Sequence, residues 1–151
     1  MTSTRRILAV SSIAAALAAC GGDDGFEDDP VDCAAEARDD DYVAGMVKTG
    51  ERWSFALVDA APAPPDEGDN TWSLHIADGE AGVEGLALTV TPWMPDHDHG
   101  TPIAAVATEA AGGDYTVAPI NLWLPGLWEV TVEGSDGAST DSAAFAFCIE
   151  D

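Results

Sequence analysis

From residue 53 onward, hydrophobic and polar side chains alternate along the chain with a period of two. The segment "LWEVTVEG" shows this most clearly, because polar residues separate Trp128, Val130 and Val132. Such alternation is typical of a β-strand that buries one face. It predicts this strand and six others, in "RWSFALVDA", "TWSLHIADG", "GLALTVTP", "PIAAVATEA", "DYTVAPINLWL" and "DSAAFAFCIE".

Turns rich in glycine, proline and aspartate separate these seven short segments. The pattern predicts an all-β fold, an antiparallel two-sheet sandwich of immunoglobulin-like type. The preceding segment, "CAAEARDDDYVAGM", predicts a short helix over residues 33–38 followed by irregular structure. Residues 33–151, about 120 in number, suffice for one hydrophobic core and not for two, so we expect a single domain there.

Residues 1–19 have the layout of an export signal, with Arg5 and Arg6 before an apolar stretch that is too short to span a bilayer comfortably. The "LAAC" sequence at residues 17–20 resembles the lipobox of bacterial lipoproteins. That resemblance implies cleavage before Cys20 and acylation of this cysteine. The alternative is an ordinary secreted protein that is cut near the same place and keeps an unmodified thiol.

Residues 20–32 are rich in glycine and aspartate, and their few apolar side chains cannot offset the entropy of ordering the chain. We expect a disordered tether between the domain and a lipid bilayer that holds the acylated Cys20. This predicts a cell-envelope location. Gly21 stands where the inner-membrane retention signal of enteric lipoproteins has aspartate, which by resemblance favours the outer membrane.

The chain carries 28 acidic and 5 basic residues. Two of the basic residues leave with the signal, so the mature chain has an excess of 28 − 3 = 25 negative charges. This charge excludes nucleic acid as a partner, because phosphate backbones are bound through lysine and arginine. The acidity attracts cations and also keeps an exported protein soluble. We expect a monomer.

Two cysteines besides Cys20 lie near the ends of the predicted domain, Cys33 and Cys148. In an oxidising compartment this placement predicts a disulfide. Chain-entropy models give about 4 to 5 kcal/mol of stabilisation for a loop of more than a hundred residues, before any strain is subtracted. A buried pair of free thiols and a two-cysteine metal site are the alternatives.

The stretch "TPWMPDHDHGTP" places a thioether and two imidazoles close together. Met94, His97 and His99 suit Cu(I), and imidazole with carboxylate suits Cu(II) or Zn(II). Asp96 is a further candidate, as a ligand or as an acceptor that orients a histidine. A calcium loop is disfavoured because the third acid and the terminal glutamate are missing.

The simpler hypothesis makes this stretch a solvated turn without a cofactor. Proline fixes φ, aspartate caps the backbone and Gly100 takes a left-handed conformation. We favour this interpretation over a metal site, and we expect Met94 and His99 to lie at the mouth of the loop. His75 is expected to face solvent from a strand.

The segments "GLALTVTPWMPDHDHGTP" and "GGDYTVAPINLWLPGLWEVTV" together resemble the YtkA-like and FixH-like periplasmic or surface domains. The resemblance covers residues 53–149, and Leu124 stands where the second methionine of the pattern is expected. The matching positions are Met94, Pro95, His99, Gly100, Pro125, Gly126 and Trp128. The resemblance implies a small exported β-sandwich, associated in some relatives with copper handling or oxidase assembly, and it implies no catalytic reaction.

Motifs of the common enzyme classes are missing from the sequence. It has no Gly-x-Ser-x-Gly elbow, no His-Glu-x-x-His pair and no phosphate-binding glycine loop. We therefore expect a non-enzymatic interaction or structural module of the cell envelope, with an unidentified envelope protein as partner. The alternative function is a copper chaperone or copper-sensing domain that uses Met94, His97 and His99.

Overall fold

The computed structural model describes residues 31–151, which contain ten β-strands and one 3₁₀ turn. The predicted signal, Cys20 and all but the last two residues of the predicted tether lie outside this range. The 3₁₀ turn spans Cys33–Ala35, and the strands are β1 Met46–Thr49, β2 Ser54–Ala61, β3 Gly68–Asp78, β4 Ala81–Gly82, β5 Ala87–Met94, β6 His99–Gly100, β7 Val106–Glu109, β8 Asp114–Leu122, β9 Gly126–Ser135 and β10 Thr140–Ile149. No helix within residues 31–151 is long and apolar enough to cross a membrane.

Two antiparallel sheets form the sandwich. One has the strand order β1-β2-β3-β8-β7, with β4 beside β3, and the other has the order β10-β9-β5-β6. The all-β sandwich is therefore confirmed, and its seven predicted strands correspond to β2, β3, β5 and β7 to β10. The sequence pattern missed β1, β4 and β6, which have only two to four residues each.

The predicted helix over residues 33–38 is wrong in extent, because only Cys33–Ala35 forms a turn and the backbone is extended at Glu36. The Glu36 carboxylate accepts hydrogen bonds from the backbone N–H groups of Ala37 and Arg38, each at 2.9 Å. These bonds replace the backbone acceptors that a continuing helix would offer, as acidic side chains often do near helix ends.

The core lies between the sheets and is built from the inward residues of the alternating strands. Trp72 packs edge-to-face against Phe145 and Phe147, with ring centroids 5.8 and 5.7 Å apart. Such pairs add to the burial of apolar surface. The largest fully buried side chains are Trp53, Trp72, Trp128, Phe55, Phe145, Leu57, Leu74, Ile76, Met94, Ile120, Leu122 and Ile149.

The residues before β1 pack against β10, which is an edge strand of its sheet. The predicted disulfide is present and joins Cys33 to Cys148, with a Cα–Cα distance of 5.5 Å. Asp40 donates its backbone N–H to the Ala146 carbonyl at 2.7 Å, and its side chain accepts the Ala146 N–H at 2.9 Å. Asp40 thereby occupies backbone groups that an uncovered edge strand would offer to another chain.

A second aspartate, Asp141, ties the β1–β2 turn to the start of β10. Its buried carboxylate accepts the backbone N–H groups of Glu51, Arg52 and Trp53 at 2.9, 2.8 and 2.7 Å. Burial opposes ionisation of the Asp141 carboxyl, but these donors favour the carboxylate and hold its pKa below the ordinary value. A methyl group on Gly50 would lie 2.4 Å from this carboxylate, so the turn needs glycine there.

We predict that Asp141→Asn lowers the free energy of unfolding by about 1.5 to 3 kcal/mol, because an amide nitrogen then faces backbone donors. The folded-state pKa of Asp141 lies below the unfolded value of about 3.9. The carboxylate therefore stabilises the fold fully above the unfolded pKa, and this stabilisation is lost as the pH falls through the folded-state pKa. The difference between wild type and variant in urea unfolding should therefore shrink from about pH 6 to about pH 3.

Glu129→Gln is the matched control, since Glu129 is exposed on β9. It should change stability by no more than about 0.5 kcal/mol. An equally small effect of Asp141→Asn at neutral pH would contradict the role assigned to this carboxylate.

Candidate functional site

The candidate site lies at the turn between β5 and β6, residues 95–98, which we call the histidine loop. The loop closes where Met94 pairs with His99, and the His97 N–H donates to the Met94 carbonyl at 3.3 Å. Asp98 takes the left-handed conformation, with φ of 54°. The expectation that Gly100 takes it is therefore wrong.

Gly100 has a different structural role, because it belongs to β6 and pairs with Trp93. A Cβ atom on Gly100 would lie 2.6 Å from the Pro92 carbonyl oxygen. Close approach of two backbones, and not a positive φ, is what requires glycine here.

Met94 is fully buried in the core, so the expectation that it lies at the mouth of the loop is wrong. The period of β5 explains this, since Val90, Pro92 and Met94 all face inward. The Met94 methyl carbon lies 2.7 Å from the point that a Cβ atom on Gly126 would occupy, and His97 Nε2 lies 4.0 Å from the same point. Met94 and His97 therefore approach each other over Gly126, whose φ of 128° also favours glycine.

His99 is half-buried and is the next aromatic ring along the surface. Its ring centroid lies 5.7 Å from that of His97 and 5.6 Å from that of Trp123. Nδ1 of His99 is 3.1 Å from the Gly100 carbonyl oxygen, a contact that suits an N–H donor on Nδ1. On that tautomer, Nε2 of His99 keeps its lone pair.

Asp96 points to Arg38 rather than to the histidines. Nη1 and Nη2 of Arg38 donate to the two Asp96 oxygens at 2.8 and 2.6 Å, and Arg38 also pairs with Glu36 at 2.6 Å. Hydrogen bonds from Arg38 hold the pKa of Asp96 below its ordinary value and lower the pKa of Glu36 to about 2. Asp96 therefore fastens the histidine loop to the segment before β1.

The donor chemistry of the site depends on Met94. Within residues 31–151, no three His, Cys, Asp or Glu side chains are close enough together to hold a metal ion. A metal at this loop would have to use the Met94 thioether with the imidazoles of His97 and His99. A thioether with imidazoles fits Cu(I) better than it fits Zn(II) or a hard cation.

The model of the YtkA-like family matches residues 48–133 of this chain, which is more than half of its length. The chain belongs to the YtkA-like family. The matched range begins in β1, ends in β9 and includes the histidine loop and Gly126. Comparisons with curated proteins and with solved structures find no match.

Two exposed tryptophans flank the histidine loop of this YtkA-like domain, and neither was among the functional residues predicted from the sequence. Trp93 is 39% exposed and Trp123 is 42% exposed, whereas Trp53, Trp72 and Trp128 are buried. Both exposed rings approach Gly100: Cε3 of Trp93 lies 3.5 Å from the point a Cβ atom there would occupy, and Nε1 of Trp123 donates to the carbonyl oxygen at 3.5 Å. The alternation of β5 was the available signal, since Trp93 follows Thr89 and Thr91 on the outward face.

His75 lies on β3 and belongs to no part of this site. Its Nδ1 is 2.7 Å from an Asp114 oxygen on β8, and the side chain is partly exposed. The prediction that His75 faces solvent from a strand is confirmed.

Proposed function

We propose that this chain is a lipid-anchored cell-envelope protein whose YtkA-like sandwich is a non-catalytic interaction module. The observation that carries the proposal is the cysteine arrangement. The disulfide joins Cys33 to Cys148, and the third cysteine of the sequence is Cys20 in "LAAC". Disulfides form in export compartments, which agrees with the export signal before Cys20.

The proposed partners are the bilayer, through acylated Cys20, and an envelope protein that contacts the domain. The exposed tryptophans support an interaction role, because aromatic residues are enriched where proteins meet other surfaces. We propose the outer membrane as the destination, with Gly21 in place of a retention aspartate as the support. The acidic charge and the covered β10 edge support a monomer.

We predict that the intact mass of protein isolated from the envelope corresponds to a chain that begins at an acylated Cys20. Cys20→Ser should abolish this modification. The variant should then either leave the membrane fraction or retain an uncleaved signal. Density-gradient separation of the two membranes should place the wild type in the outer membrane. An unmodified Cys20, or cleavage at another position, would refute the anchoring.

Copper binding is a second candidate function, favoured by the approach of Met94 and His97 over Gly126. Met94, His97 and His99 would hold Cu(I), and Asp96 would stay paired with Arg38. The buried position of Met94 limits this function, because the thioether would have to turn from the core toward the loop.

For this candidate we predict that an anaerobic titration against a Cu(I) competitor gives one equivalent of tight binding. His97→Ala, His99→Ala and Met94→Leu should each weaken it at least tenfold, while His75→Ala, on β3 and outside the site, should leave it unchanged. Met94→Leu nearly conserves volume and should cost less than about 1.5 kcal/mol of stability. Absence of binding, or binding that survives loss of both His97 and His99, would exclude this function.

A further inference from the structure

The chain enters the domain beside the histidine loop. Val31 and Asp32 line a cleft of about 270 Å³ together with Asp96, His97 and Gly126. The Val31 N–H donates to the Asp151 side chain at 3.1 Å. The point where the proposed tether meets the domain is therefore next to the candidate site.

The sheet registers show that this is one end of the sandwich. Gly126 at the start of β9 pairs with Ile149 at the end of β10, and the short connection 123–125 links β8 to β9. We call this the loop end, formed by residues 31–32, 62–67, 95–98, 123–125 and 150–151. The opposite end includes the turns at 50–53, 79–80, 110–113 and 136–139.

Exposed apolar side chains lie at or near the loop end. Trp93 and Trp123 flank Gly100, and Ile103, which is 42% exposed, lines a shallow groove with Trp93 and Gly100. Tryptophan combines a large apolar ring with a polar N–H, so it is enriched where hydrocarbon meets water. Arg38 neutralises part of the local acidity through its pairs with Asp96 and Glu36.

The length of the proposed tether keeps the domain close to the lipid. Eleven residue steps separate Cys20 from Val31. A chain of this many steps reaches at most about 40 Å. A domain held this closely by its loop end presents Trp93 and Trp123 on the side from which the anchor leaves.

We propose that the loop end faces the bilayer and that Trp93, Trp123 and Ile103 enter the interface of a zwitterionic leaflet. This inference rests on the lipid anchoring proposed above. The excess of 25 negative charges on the mature chain, 28 − 3, selects zwitterionic over anionic headgroups. The histidine loop then lies between the domain and the membrane.

The test places the mature acylated protein, which begins at Cys20, in phosphatidylcholine vesicles with brominated acyl chains, which quench tryptophans that reach the interface. Two of the five tryptophans are exposed, so the emission should fall by up to two fifths if all five emit equally. The double variant Trp93→Ser, Trp123→Ser should lose the quenching. Val47→Ser, which changes an exposed apolar residue on β1, should retain it.

Two further measurements sharpen the outcome. Iodide should quench the wild type on vesicles less than it quenches, in solution, a Cys20→Ser protein that lacks both the signal and the acyl chains. Replacing half of the phosphatidylcholine with phosphatidylglycerol should weaken the quenching by brominated lipid, because anionic headgroups repel the acidic domain.

The possible failures are distinguishable. Protein that does not sediment with the vesicles would refute the anchoring and this inference together. Protein that sediments but is not quenched by brominated lipid would refute the inference alone. Protection from iodide without quenching by brominated lipid would also overturn it, since protein and not lipid would then cover the tryptophans.

Discussion

The attachment of the segment before β1 to strand β10 is the constraint on which the rest of the candidate site depends. The Cys33–Cys148 disulfide fixes the start of this segment, and the paired hydrogen bonds between Asp40 and Ala146 fix its end. Arg38 lies between these two attachments and reaches Asp96 with both of its terminal nitrogens. A surface ion pair alone stabilises a fold only slightly. Here the two attachments position Arg38, so the pair can orient the histidine loop without being strong.

Met94 links the core to the loop. It is the last inward residue of β5 and fills space between the sheets, yet its methyl group lies over Gly126 beside His97. A thioether is flexible enough to pack well in such a position. Packing of the core and binding of a soft metal would therefore compete for one side chain. The YtkA-like family assignment leaves this competition open, because a sandwich fold hosts many functions and selects none of them.

The sequence predicted the features that depend on local periodicity. Alternation identified the seven longer strands and the inward tryptophans, whereas β4 and β6 are too short for any period to show. The burial of Met94 followed from the same alternation and was missed because Met94 was grouped with the polar residues that follow Pro95. The Arg38–Asp96 pair joins residues 58 positions apart, and no pattern in a single sequence reveals such a contact. The left-handed conformation at Asp98 was assigned to Gly100 because glycine favours it more.

The proposed orientation places the loop end of the lipid-anchored YtkA-like domain against the membrane. Hydrogen exchange of the acylated protein, measured with and without phosphatidylcholine vesicles, decides whether it holds, because one experiment reports on both ends of the sandwich. We expect slower exchange on vesicles for the amides of residues 96–101, 103, 104 and 123, and unchanged exchange in the turns at 79–80, 110–113 and 136–139. Slower exchange at those three turns, with the histidine loop unaffected, would contradict this orientation.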